Sequence, residues 1–202
     1  MRDDMSTAAP ESLDPRQRRT RQALAAAILA LAKKQAVAEI SVSALAREAG
    51  VHRSTVYQHA ASPAALLAAV LSEELDVVRE TYLFDVPDGG LGQAVRSTTL
   101  GVLEHLEAHE VIYRRELSET MNPLHAMLRT HFAESVRELI ETHDLAPPDV
   151  QGLPPDFPDM AARWIADASV GAMSVWLGRP RPRNRETYLR AHAALLPDWW
   201  PS

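Results

Sequence analysis

Arg53, Ser54, Thr55, Tyr57, Gln58 and His59 stand within one short stretch of the chain, with Ser41, Arg47 and His52 just ahead of them. These side chains hydrogen-bond phosphate oxygens and base edges, a guanidinium matching guanine and a carboxamide matching adenine. Such chemistry needs a helix held outward against a groove, so the elements that would hold it come next. Val42, Leu45, Ala46 and Ala49 fall at i, i+3, i+4 and i+7, the apolar stripe of a helix, and Ser41 before them is a favoured cap. Gly50 can end that helix in the left-handed region, Val51 can plug the corner, and a second helix of about two turns then carries the polar set. One braced helix and one outward polar helix make a helix-turn-helix. An Ala-Gly-Val corner also joins the helices of ordinary bundles, so the turn needs support from its surroundings.

That support extends from Arg18 to Leu71. A basic start (Arg18, Arg19, Arg21) is followed by Leu24, Ala27, Ile28 and Leu31 on one helical face, then by Ser41-Val42, Leu45-Ala46 and Ala49-Gly50-Val51. Thr55, Tyr57 and His59 form Thr-x-Tyr-x-His, and Ser62 precedes Leu66-Leu67. In types and intervals this stretch, roughly a quarter of the chain, resembles the N-terminal domain of the tetracycline-repressor family of transcriptional regulators. The chain departs from that family's pattern at Ala36, where glycine is usual, at His52, where a small cap is usual, at Ala60, where an aromatic residue is usual, and at Pro63, where lysine is usual. Pro63 still suits the first position of a helix capped by Ser62.

The chain as a whole is acidic, with 21 Lys and Arg against 27 Asp and Glu and a pI near 5.7. Such a balance excludes nonspecific coating of nucleic acid. Its distribution is uneven. Between Arg16 and His59 stand eight cations (Arg16, Arg18, Arg19, Arg21, Lys33, Lys34, Arg47, Arg53) and two anions (Glu39, Glu48), a local net of +6 that leaves −12 for the remainder. A basic head on an acidic body suits a protein that meets phosphate with one face.

With 202 residues, 46% of them apolar, the chain has enough material for a sizeable core. The absence of cysteine excludes disulfides, thiol nucleophiles and thiolate metal sites. The apolar run Ala23 to Ala32 is too short to span a bilayer, and Lys33-Lys34 closes it where a signal-peptide cleavage site would lie. Asp14-Pro15-Arg16-Gln17 instead reads as a capped helix start, preceded by a disordered arm over residues 1–13. The expected location is the cytoplasm, with no membrane partner.

Beyond residue 62 the periodicity is helical throughout, with no strand alternation: segments near 63–84, 91–107, 110–119, 123–142, 159–178 and 184–196, and a proline-rich connection over 145–158. The expected fold is all-α, divided into the arm (1–13), a three-helix DNA-binding domain (14–61) and a helical regulatory domain (62–202). In the segment 159–178, Trp164, Ala168, Gly171, Ala172, Val175 and Trp176 alternate large anchors with small residues, which suits a helix interface as well as an intrachain core. The resemblance implies that the two C-terminal helices pair with their copies in a homodimer. It also implies an apolar pocket for a small effector whose binding releases DNA; the candidate walls are Leu103, Tyr113, Leu117, Met121, His125, Leu128, Trp164 and Met173, with plain core packing as the other reading.

His125, His131, Glu134 and His143 share one helical region, but neither His-Glu-x-x-His nor the paired Glu-x-x-His sets of di-iron bundles occur, so no metal and no cofactor are expected. Gly-x-Ser-x-Gly, phosphate-loop and dinucleotide signatures are also missing, and no catalytic residue is assigned. The expected function is a bacterial homodimeric repressor that binds double-stranded DNA at an inverted repeat and leaves it when a small molecule binds. The alternative is a helical small-molecule-binding or interaction protein whose head is impaired at Ala60 and Pro63.

Overall fold

The computed structural model describes residues 15–87, 89–117, 122–147 and 150–201, and among these every regular element is helical. The expected arm and the Asp14 cap lie outside the described residues. Helix α1 (Pro15–Lys34) buries Leu24, Ala27 and Ile28 as its apolar spacing requires; Ala32 takes the next buried place and Leu31 is half-buried beside it. A short 3-10 turn (Val37–Glu39) follows, entered through Ala36 at φ −62° and ψ 142°. That extended backbone explains why the chain can dispense with glycine at position 36.

Helix α2 (Val42–Ala49) is capped by Ser41, whose Oγ accepts from the Ala44 amide at 3.1 Å. Gly50 stops it at φ 66°, and α3 (Arg53–His59) begins two residues after Val51. Helix α4 (Pro63–Leu83) starts as its sequence predicts: Ser62 Oγ accepts from the Ala65 amide at 3.1 Å and Pro63 holds the first position.

The body consists of α5 (Leu91–Ala108), α6 (Glu110–Glu116), α7 (Pro123–Thr142), α8 (Phe157–Gly178) and α9 (Arg185–Ala193). Helix α8 lies along α7, and α5 lies against α4. The second approach is close, since a Cβ at Gly101 would stand 2.7 Å from Val78 Cγ1. A continuous core runs from Leu24, Leu45 and Val56 in the head through Leu67 and Leu71 of α4 to Leu103, Ile112 and Leu128 in the body. No described helix is long and apolar enough to cross a membrane.

Head and body are also joined by polar contacts. The buried Glu116 carboxylate accepts from the Val37 amide at 3.0 Å and from the Asn122 side-chain amide at 2.5 Å. Asn122 in turn caps α7 through the Leu124 amide at 2.8 Å. Arg115 donates to the Ala32 carbonyl at the end of α1 at 2.8 Å, and Arg21 of α1 pairs with Glu73 of α4.

Candidate nucleic-acid interface

Val56 is the one fully buried residue of α3, packed into the core with Leu45 and Ala46 of α2. A single anchor at the middle of a seven-residue helix turns the rest of its surface outward. Arg53, Ser54, Tyr57, Gln58 and His59 are all exposed, Tyr57 at 56%, and Thr55 is half-buried at the edge. Ser41, Arg47 and His52 are exposed as well. His52 sits at the cap position of α3 without making a side-chain cap bond, so its ring is available to an outside partner. All nine residues expected to contact DNA therefore lie in the two-helix unit of α2, its corner and α3, and eight of them are solvent-facing. Ala60 packs against the core at the exit of α3.

The body contains a cavity of about 140 Å³, open to solvent, between Leu83 of α4, helices α5, α7, α8 and α9, and the C-terminal residues Trp200 and Pro201. Val102, Phe132, Leu139, Ile165 and Leu189 are among its walls. Of the expected wall residues only Met173 lines it. Leu103, Tyr113, Leu117 and Leu128 are instead buried in the main core and do not line this cavity. His125 is half-buried away from this cavity, and Met121 lies outside the described residues. Trp164 is on the outer surface, 53% exposed. The cavity's hydroxyls are satisfied within the protein: Thr98 and Thr99 donate to Ala94 and Val95 carbonyls at 2.9 Å, and Ser135 to that of His131 at 2.9 Å. Ser169 Oγ meets His192 Nε2 at 3.0 Å, and burial lowers the pKa of His192, so this ring is neutral near pH 7.

On α8, Met160, Trp164, Ala168, Gly171 and Val175 form one exposed stripe. Trp176, expected in the same interface, does not share it. Twelve residues beyond Trp164 it lies about a third of a turn away, 2% exposed, with its ring 5.7 Å from that of Tyr188 and under the Arg183 guanidinium.

A second polar constellation, absent from the sequence expectations, joins α4 to α5 and α6. His109 Nε2 lies 2.7 Å and His105 Nδ1 3.3 Å from the same oxygen of Glu74, and His105 Nε2 meets the Tyr113 hydroxyl at 2.7 Å. Burial, together with the nearby rings of His109 and His131, lowers the pKa of His105 to about 3. The i, i+4 spacing of His105 and His109 was visible in the sequence, but Glu74, about thirty residues upstream, could be placed beside it only by packing. The histidines first considered do not gather: His131 meets Ser72 and Asp76, while Glu134 and His143 are exposed.

Residues 24–70 match the family model described as bacterial regulatory proteins, tetR family. No curated protein sequence matches the chain. Among solved structures, the fold is similar to that of Thermus thermophilus FadR, described as a transcriptional repressor of the same family in complex with lauroyl-CoA, at 17% identity and a TM-score of 0.63, covering 87% of this chain and 92% of that one. It is also similar to NalD of Pseudomonas aeruginosa, the secondary repressor of the MexAB-OprM multidrug efflux pump, at 23% identity and a TM-score of 0.58, covering 91% and 100%. A tetR-family regulator from Streptomyces coelicolor matches at 21% identity and a TM-score of 0.57, covering 87% and 81%.

Proposed function

With residues 24–70 matching a tetR-family model at the head of a chain whose described elements are all helical, we propose that the protein is a homodimeric transcriptional repressor that binds an inverted-repeat operator and releases it on binding a small molecule. The observation that carries this reading is α3: a helix fixed by buried Val56 with Arg53, Tyr57, Gln58 and His59 facing solvent. Arg53 and Gln58 are the base readers; Arg47, Thr55, Tyr57 and His59 bind phosphate or sugar, with Ser41, His52 and Ser54 beside them. One such head binds weakly, and two related by a two-fold axis demand paired half-sites. The exposed α8 stripe supplies the self-complementary apolar surface for that pairing. The cavity beneath α9 accepts an effector with an apolar body, because most of its walls are apolar, its hydroxyls already have partners and Arg96 at its edge is paired with Glu186. No step of this function needs catalysis, and it takes place in the cytoplasm, where the operator is.

The test is fluorescence anisotropy with the DNA flanking the protein's own gene at about 50 and 200 mM salt. A sequence-preferring complex that weakens steeply with salt is expected; its absence would overturn the reading. Filling the cavity with Ser169→Trp should abolish release by an effector while leaving operator binding intact.

A further inference from the structure

The Glu74, His105 and His109 side chains converge from two helices. Their donor atoms, one carboxylate oxygen and two imidazole nitrogens, all lie within 4.8 Å of one another. His105 and His109, one turn apart at the end of α5, present their rings on the same face with centroids 5.0 Å apart. We propose that these three residues form a binding site for a divalent transition-metal ion of the zinc type. Bonds of 2.0–2.1 Å arranged tetrahedrally place donor atoms about 3.4 Å apart. The His105 to Glu74 separation of 3.3 Å already has that value, and the 2.7 Å between His109 and Glu74 reaches it by a small swing of a carboxylate that is 40% exposed.

The chemistry of the donor set selects the ion. Two imidazoles and one carboxylate suit zinc, cobalt and nickel, whereas magnesium and calcium favour all-oxygen shells. His105 is buried, with its Nδ1 turned toward the Glu74 carboxylate. Its second nitrogen faces the buried Tyr113 hydroxyl, which can donate or accept and so serves whichever tautomer coordination requires. The half-exposed Glu74 side leaves an entry route and a position for water as fourth ligand.

The test uses tag-free full-length protein, stripped with chelator and titrated with zinc or cobalt chloride. Expected are one ion per chain with a dissociation constant in or below the micromolar range, a visible absorption band for cobalt, and a rise in the urea midpoint with zinc. His109→Gln and Glu74→Gln should each weaken zinc at least about tenfold, while exposed His143→Ala leaves it unchanged. Circular dichroism confirms folding, and Glu74→Gln, at a partly exposed position, decides the matter if His109→Gln does not fold. Wild-type protein that binds no zinc tighter than about 100 μM, or binding that survives intact in the folded variants, overturns the proposal.

Discussion

Arg53 carries the sharpest consequence at the scale of single residues. It stands at the first position of α3 and is exposed, as Gln58 is. Arg53→Ala should weaken operator binding by about 1 to 3 kcal/mol and relax preference at one base pair, read by anisotropy against an operator series. Lost affinity with unchanged preference would make Arg53 a phosphate contact instead. Glu116 is the counterpart inside the protein. Its buried carboxylate holds the Val37 amide of the head and the Asn122 amide that precedes α7. Glu116→Ala orphans the buried Val37 amide and should lower stability by about 1 to 3 kcal/mol in urea unfolding. At Gly50 a Cβ meets nothing within 4 Å, so Gly50→Ala suffers only from the left-handed backbone, roughly 1 kcal/mol.

Among the elements, α8 divides its surface by angle. Ile165, Ala166, Val170, Met173 and Trp176 are buried within the chain, while Met160, Trp164 and Val175 remain more than half exposed on the opposite side. Burying such a stripe against a second copy removes its apolar area from water, the driving force for pairing. Trp164→Glu should convert the proposed dimer to monomer in equilibrium sedimentation at micromolar concentration with helix content unchanged; a wild-type protein that sediments only as monomer refutes pairing through α8. Helix α4 belongs to head and body at once. Ser62 caps its first turn, and Ser62→Ala should cost about 1 kcal/mol of stability.

For the whole molecule, buried imidazoles set a pH dependence. Burial lowers the pKa values of His131 and His192 from their ordinary 6.5. Above 6.5 both are neutral folded or unfolded and contribute no slope. As the pH falls below 6.5 the unfolded chain takes up protons that the folded chain resists, so stability declines until the lowered folded values are reached. The urea midpoint should therefore drop between pH 7 and pH 5, and His192→Gln should reduce that drop. Charge is also divided at this scale: the head region is net positive on a chain of net charge −6, so operator binding should be salt-sensitive while the body avoids phosphate.

Helix positions, caps and the head were legible in the sequence because they rest on local physics. Ser41, Gly50, Ser62 and Pro63 act within one turn of backbone, and the stripe Leu24, Ala27, Ile28 faces inward whatever it packs against. The exposed polar set on α3 followed from the same periodicity. Long-range packing decided the rest. An apolar residue at helical spacing can line a cavity, fill a core or face a partner, and only the placement of α9 over α5 and α8 made Met173, a core residue like Leu103 and Tyr113, a cavity wall as well. Trp164 and Trp176 looked equivalent in sequence until one face of α8 met the remaining helices. Glu74 joined His105 and His109 only when α4 and α5 closed on each other at Gly101, because a site built from residues distant in the chain exists only through the packing that brings them together.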